Sequence, residues 1–104
     1  MSVVKTKRHE AVAIVFDNAL TSAGTAIPFN GVDENTLFIF DTAGSVTFVK
    51  GDHIQGVNDL TITVPQYGAI AIPSMEFKNV SGANKGKVVI KGSGNVAVVE
   101  IDQL

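Results

Sequence analysis

Cysteine is absent from this chain of 104 residues. Its absence excludes a disulfide framework, thiolate metal sites and a cysteine nucleophile, so the fold must be held together by its core alone. Charged residues are also scarce, at 17%, and the net charge is -2. This balance lacks the basic surface that nucleic-acid-binding proteins carry, and we expect no nucleic-acid partner.

Long apolar runs are missing as well. No stretch approaches the roughly 18 apolar residues of a membrane-spanning helix, so we expect no membrane partner. Basic residues stand near the N-terminus, but the apolar run after them, residues 11–16, is too short for a signal peptide with its cleavage site. We expect a protein made in the cytoplasm.

Patterns that indicate catalysis or metal binding are not found in the sequence. The two histidines, His9 and His53, are far apart and form no HxH or HExxH pattern. A GxSxG motif is absent, and nothing places two of the acidic residues at a catalytic spacing. Asp52, His53 and Asp59 could surround a cation, but the simpler interpretation is an exposed polar loop. We therefore expect no enzyme activity, no metal site and no cofactor.

What the sequence does contain is a pattern of short strands. Residues 36–41, 45–50 and 60–64 are three candidate strands in succession, separated by turn residues, which is typical of an antiparallel meander. In 60–64, apolar and polar residues alternate, so one face should be buried and the other hydrated. Residues 37–40 are apolar on both faces, which favours a central strand.

Further strands are predicted on either side of this meander. Residues 10–16 are apolar on both faces and predict a central strand, whereas 25–29 predict an edge strand because of Pro28. The remaining predicted strands are 69–73, 74–80, 87–91 and 95–101, and no helix longer than one turn is expected. The fold class is therefore all-β, an antiparallel β-sandwich of seven or eight short strands, either jelly-roll or immunoglobulin-like.

The chain is expected to form one domain. Residues 9–104 are the sandwich, and residues 1–8 are a flexible N-terminal arm that carries the one basic run. Two facing sheets would bury one apolar side chain of each alternating pair. The expected core is Val12, Ile14, Phe16, Leu37, Ile39, Phe48, Leu60, Ile62, Ile70, Ile72, Phe77, Val88, Ile90, Val96 and Val98.

Several segments together resemble a known group of proteins. The segments are 35–40 (NTLFIF), 45–52 (SVTFVKGD), 59–65 (DLTITVP), 77–79 (FKN), 86–88 (GKV) and 96–98 (VAV). Their order is similar to that in small virion proteins of tailed bacteriophages, and the resemblance covers roughly residues 36–101, which is most of the chain. It implies a head decoration or cement protein that binds the outside of the major capsid lattice and stabilises the head. Some relatives instead form the base of head fibres.

The resemblance also implies a location and a partner. The location is the capsid surface of the virion, after synthesis in the host cytoplasm, and the partner is the major capsid protein. Self-association as a trimer on the capsid stays open. An alternative function from another class is a carbohydrate-binding β-sandwich module, in which the loops 51–58 and 65–68 hold a glycan beside Tyr67.

No contact residue is transferred from the family, so the candidate contact surfaces come from the chain itself. They are the N-terminal arm and the loops 51–58 and 81–86, because polar residues outside strands are where contacts concentrate. Charge reversal of Asp52 is expected to weaken capsid attachment and to leave the fold intact. The candidate contact residues are Lys5, Lys7, Arg8, Asp52, His53, Gln55, Asn84 and Lys85.

Overall fold

The computed structural model describes residues 3–7, 13–29, 36–52 and 58–102 of the chain. In these residues the chain forms nine strands and one helical turn. The elements are β1 Val3–Lys7, β2 Asn18–Ala19, β3 Thr25–Pro28, β4 Thr36–Phe40, β5 Gly44–Phe48, β6 Leu60–Val64, β7 Ala69–Ile70, α1 Ser74–Phe77, β8 Lys87–Lys91 and β9 Asn95–Asp102.

The strands from β2 to β9 pair in a nested order. β2 pairs with β9, β3 with β8, β4 with β7 and β5 with β6, each time antiparallel. This long ribbon is rolled up, since β4 also pairs with β9 and β5 with β8. The resulting sheets have the orders β2-β9-β4-β7 and β3-β8-β5-β6. Eight strands arranged in this way are a jelly roll, which confirms the predicted all-β sandwich and favours one of its two expected forms.

A ninth strand, β1, lies beside β2 along the outer edge of β9. It is parallel to β9, with Val3 opposite Val98 and Lys7 opposite Asp102. These five residues thus form a strand where the sequence analysis expects a flexible arm. The β-branched residues among VVKTK suit an extended strand, whereas the expectation rested on the basic run and its terminal position. Arg8 lies outside the described residues.

The segment predicted as a central strand, 10–16, is not a strand in its described part. Residues 13–16 have no regular structure, and Ile14 and Val15 are 39% and 47% exposed. The inner positions of the two sheets are filled by β9, β4, β8 and β5. Apolar character on both faces therefore could not by itself place this segment inside.

The predicted meander is correct only in its second half. β5 and β6 form a hairpin, from Gly44 opposite Val64 to Phe48 opposite Leu60. β4 and β5, however, belong to opposite sheets. A three-residue connection, 41–43, is long enough to cross the roughly 10 Å between stacked sheets as well as to close a hairpin, so loop length does not distinguish the two.

The predicted strand 74–80 is also wrong. Residues 74–77 form the single turn α1, which follows Pro73, and the backbone N–H of Glu76 donates to the Pro73 carbonyl at 3.3 Å. Phe77 still points into the core, with 4% exposure. The predicted strand 69–73 is limited to Ala69–Ile70, whereas the bounds of the other predicted strands from 25 onward differ from the observed ones by at most two residues.

The core between the sheets is built around phenylalanines. Phe38 contacts the rings of Phe29 and Phe48 edge-on, with centroids 5.3 and 6.0 Å apart. Phe48 contacts Phe40 and Phe77 in the same manner. The buried cluster consists of Leu20, Ile27, Phe29, Phe38, Phe40, Val46, Phe48, Val64, Ile72, Phe77, Val88, Ile90, Val96 and Val98.

The expected core is correct for most strands and wrong for three positions in the meander. Leu37 and Ile39 lie half-buried on the outer face of β4, because Phe38 and Phe40 occupy the inner face. Leu60 is 37% exposed at the start of β6, and Ile62 and Ile70 are partly buried against the core. Ile14 is exposed, Phe16 is half-buried and Val12 lies outside the described residues.

The jelly roll sorts its connections between two ends. We call one the Asp41 end; it carries the connections 20–24, 41–43, 65–68 and 92–94. We call the other the Asp52 end; it carries Phe29 and the described connection residues 49–52, 58–59 and 71–86. Phe29 joins this end because its backbone N–H donates to the Gly86 carbonyl at 3.1 Å.

Candidate functional site

The candidate contact positions that the structure describes lie at the Asp52 end or on a strand that runs toward it. Asp52, Asn84 and Lys85 are exposed side chains of that end. Lys5 and Lys7 belong to β1, whose last residue lies opposite Asp102, the last residue of β9. Arg8, His53 and Gln55 lie outside the described residues.

Asp52 connects two loops of this end. One carboxylate oxygen, Oδ1, accepts the backbone N–H of Val80 at 2.7 Å, and the other, Oδ2, accepts the hydroxyl of Ser81 at 2.7 Å. These bonds stabilise the charged form, so the Ser81 hydroxyl and the Val80 N–H hold the pKa of Asp52 below its ordinary value. Asp52 therefore positions the loop that carries Asn84 and Lys85, and its carboxylate is already engaged.

Two further contacts brace the same end. Oδ1 of Asp59 accepts the backbone N–H of Lys50 at 2.8 Å, which closes the base of the connection between β5 and β6. The backbone N–H of Gly51 donates to the Glu76 carbonyl at 2.8 Å, and Gly51 is buried. A Cβ at position 51 would lie 2.5 Å from the Lys78 carbonyl oxygen, so only glycine fits there.

The loop 79–87 is closed by its own hydrogen bonds. The backbone N–H groups of Asn79 and Gly86 donate to the carbonyls of Lys87 and Asn79 at 2.9 and 2.8 Å. The Asn79 amide donates to the Lys87 carbonyl as well, at 3.1 Å. The backbone N–H of Lys85 donates to the Gly82 carbonyl at 3.3 Å. The loop is thus formed before any partner arrives, and less conformational entropy is lost on binding.

The Asp52 end carries both acidic and basic side chains. Its described connections and the adjoining residue of β8 carry the carboxylates of Asp52, Asp59 and Glu76 and four lysines. All three acidic residues are exposed, as are Lys50 and Lys85, and Asp52 and Asp59 also accept hydrogen bonds from backbone N–H groups of other connection residues. The lysines are Lys50, Lys78, Lys85 and Lys87. The described part of this end therefore presents both signs of charge at its surface.

The Asp41 end is braced in a similar way. Oδ1 of Asp41 accepts the backbone N–H of Asn95 at 2.8 Å and the Thr42 hydroxyl at 2.9 Å, and Oδ2 accepts the Asn95 amide at 3.2 Å. The backbone N–H of Asn95 is the main cause that holds the pKa of Asp41 below its ordinary value. Asp41 thereby joins two of the connections that cross between the sheets, 41–43 and 92–94.

Tyr67 is the one described residue other than glycine with a positive φ, 62°. It stands in the turn 65–68, where the Gly68 N–H donates to the Pro65 carbonyl at 2.9 Å. Its own N–H donates to the Phe40 carbonyl at 2.7 Å, which holds this costly backbone conformation in place. The side chain is 63% exposed, and its ring lies 5.9 Å from that of Phe16.

The described residues of the loops 51–58 and 65–68, which are expected to hold a glycan, lie far apart. The two loops stand at opposite ends of β6, and the chain from Asp59 to Pro65 extends about 20 Å. Any sugar site at Tyr67 would have to use neighbours from the Asp41 end alone.

A shallow cleft of about 420 Å³ opens on the outer side of the second sheet, and the sequence analysis missed it. Its lining offers hydroxyl groups and one ammonium group, with no carboxylate or imidazole that could act as a base. The only sequence signal was Ser45 and Thr47 on one face of β5. The lining residues are Ser22, Ser45, Thr47, Lys91, Gly92 and Ser93.

The described part of the chain contains neither a metal-binding cluster nor a membrane-spanning helix. No group of three or more histidine and carboxylate side chains could hold a metal ion there. No helix among these residues is both long and apolar enough to span a bilayer.

Comparisons with protein-family models, with curated proteins and with solved structures found no match to this chain.

Proposed function

We propose that this chain is a non-catalytic structural protein of a phage virion. It binds the outside of the major capsid protein lattice through its Asp52 end and stabilises the head. The resemblance of its strand and turn segments to small virion proteins motivates the proposal. The jelly-roll order of the strands is compatible with it, because this architecture is common among viral capsid proteins.

One observation supports the choice of the Asp52 end. The described loop positions of the candidate contact surface, Asp52, Asn84 and Lys85, meet at one end of the sandwich. The loops there are held by Asp52, Asp59 and the backbone of Gly51. A surface of this kind can bind without first becoming ordered, and its exposed lysines suit acidic side chains on the capsid protein.

The mechanism is passive. Each copy makes a small polar contact, and the symmetric lattice repeats the contact over the whole shell. Contacts that link two neighbouring capsid subunits add their free energies to the stability of the shell. No turnover is involved, so the protein is needed in stoichiometric amounts.

The experiment is a co-sedimentation assay with phage heads that lack this chain. We expect the wild-type protein to saturate the heads at a fixed ratio to the capsid protein. Lys85→Glu should weaken binding at least tenfold, because it reverses an exposed charge of the contact surface. The matched control is Lys91→Glu, which makes the same charge reversal at an exposed lysine of the cleft, away from the Asp52 end, and should bind normally. Equal binding by both variants would contradict the choice of surface, and failure of the wild type to bind would contradict the function.

Asp52 itself is a less direct probe than the sequence analysis expects. Charge reversal there removes the bonds to Val80 and Ser81, so the loop would loosen as well as change its charge. Asp52→Asn keeps an acceptor oxygen and separates the two effects. We expect it to bind better than Asp52→Lys.

A second candidate function is carbohydrate binding, which one observation favours. Tyr67 is held 63% exposed in a left-handed conformation beside Phe16, an arrangement in which a sugar ring could stack on the tyrosine. Binding on a glycan panel that is abolished by Tyr67→Ala would support this candidate. A panel without saturable binding would remove it.

A further inference from the structure

The outer strands of the two sheets differ in how they are protected against pairing with another chain. Proteins protect such edges with charged residues, prolines or very short strands. In this jelly roll, β3 contains Pro28, β7 has two residues, and β1 carries Lys5 and Lys7. β6, the last strand of the second sheet, has five residues and contains neither a charge nor a proline.

The side chains of β6 are also unusual for an edge exposed to water. Leu60 is 37% exposed, which makes it one of the large apolar side chains at the surface. Ile62 is only partly buried against the core. Thr61 and Thr63 are exposed on the outer face. A further strand beside β6 would cover the apolar residues and extend the sheet from four strands to more.

We propose that β6 pairs with β6 of a second copy of this chain, antiparallel and around a two-fold axis at Ile62. In this register Thr61 lies opposite Thr63 of the second copy, and Leu60 lies opposite its Val64. Polar residues thus meet polar residues on one face, and apolar residues meet apolar residues on the other. Asp59 lies opposite Pro65, so the two flanking aspartates do not face each other.

The chain itself shows that threonines pair in this way in the same sheet. Thr61 lies opposite Thr47 of β5, and the two hydroxyl oxygens are 2.9 Å apart. A second copy is favoured over a foreign strand because the edge has no charge that would select another partner, while its own sequence matches it at each position. A two-fold contact of this type closes at two copies, so the assembly is a dimer and not a trimer.

The inference does not rest on the proposed function, and its test needs only the purified full-length chain. Sedimentation velocity over a wide range of concentration should show a reversible equilibrium between monomer and dimer. A monomer throughout the range would overturn the proposal, and so would a trimer.

A pair of double variants tests the register. Thr61→Lys with Thr63→Lys places lysines opposite lysines in the dimer and should raise its dissociation constant about tenfold. Thr61→Lys with Thr63→Glu places a lysine opposite a glutamate at both positions and should restore the dimer. Thermal unfolding of each variant shows that the fold is intact. Equal dimerisation of the two double variants would overturn this register.

A control on the same face distinguishes the effect of charges on β6 from the effect of a changed net charge. Ser45→Lys adds a lysine to β5, which is the strand next to β6 and is not at the edge. Combined with Ser22→Lys, it adds the same charge as the double-lysine variant. This control should dimerise like the wild type, and loss of its dimer would mean that net charge, not the β6 edge, controls association.

Discussion

Three aspartates of this chain accept hydrogen bonds that hold connections between strands in place. Asp52 and Asp59 stabilise the Asp52 end, and Asp41 joins two of the four connections of the other end, 41–43 and 92–94. In all three, a carboxylate accepts a backbone N–H from a residue at least nine positions away. These three aspartates therefore have a structural role, and they are less available for ligands than the sequence indicates.

The lowered pKa of Asp41 predicts a pH dependence of stability. Because the folded pKa lies below the ordinary value of 3.8, the contribution of the charged carboxylate is fully present above pH 3.8. It is lost as the pH falls from there through the folded pKa. Asp41→Asn should lower the free energy of unfolding at pH 7, by less than about 1 kcal/mol because the site is open to solvent.

The measurement is urea unfolding of both proteins from pH 7 to pH 2.5. The difference in midpoint between wild type and Asp41→Asn should be constant down to about pH 4 and then shrink. Thr42→Val provides the control, since it removes one hydrogen bond and keeps the charge. A difference that stays constant to the lowest pH would contradict the role given to Asp41.

Gly51 leads to a prediction about packing. Alanine there would place its Cβ 2.5 Å from the Lys78 carbonyl oxygen and 2.9 Å from the Phe77 carbonyl carbon, both of them backbone atoms. Gly51→Ala should therefore cost about 2 to 3 kcal/mol of unfolding free energy. Gly82→Ala is the control: its φ is 75° but no atom lies within 4 Å of the new Cβ, so it should cost about 1 kcal/mol. Equal costs in chemical denaturation would show that the Asp52 end adjusts more easily than the structure indicates.

At the scale of the elements, β4 shows what decides the face of a strand that is apolar on both sides. Its residues alternate between Thr36, Phe38 and Phe40 inside and Leu37 and Ile39 outside. The phenylalanines lie inside because their rings fill the wide space between the sheets, where Phe29, Phe48 and Phe77 also meet. Local hydrophobicity does not contain this information, since leucine and isoleucine are as apolar as phenylalanine.

Alanine substitutions test this assignment. Phe38→Ala removes a fully buried ring and should cost about 3 to 5 kcal/mol. Leu37→Ala, the matched change on the other face, should cost less than half as much because Leu37 is already half-exposed to solvent. Denaturant unfolding of the two variants is the measurement, and a larger cost for Leu37→Ala would reverse the assignment of the faces.

The bounds of several strands could be predicted because they depend on neighbouring residues in the sequence. Which strands pair with each other could not be predicted in this way. Residues 60–64 and 87–91 could be placed to the residue, because β-branched and apolar residues are bounded there by turn formers. The meander failed because the connection 41–43 crosses between sheets. The strand β1 was missed because its partner, β9, lies at the other end of the chain.

The same limit applies to the candidate site. The loops around Asp52 and Lys85 could be proposed from composition, but their bracing depends on Val80 and Ser81, which are 28 and 29 residues from Asp52. No local pattern indicates that Tyr67 adopts a positive φ, since glycine is the usual residue for that conformation. The hydroxyl-lined cleft draws on three separate stretches of the chain, so only the fold brings it together.

At the scale of the whole molecule, the jelly roll separates two kinds of surface. The loops at its two ends are fixed by side chains that bind backbone groups, whereas β6 is the last strand of the second sheet in the described part of the chain. The first kind suits attachment to a rigid lattice, and the second suits association with another copy. A decorated capsid could use both at once, because the Asp52 end and the side of β6 point in different directions.

The central claim is that the Asp52 end faces the capsid. Electron cryo-microscopy of phage heads with and without this chain tests it most directly. The difference map should show a β-sandwich on the outside of the major capsid lattice, with the loop that carries Asn84 and Lys85 against the capsid protein and Tyr67 directed away from it. Density with Tyr67 toward the capsid, or no added density on saturated heads, would contradict the claim.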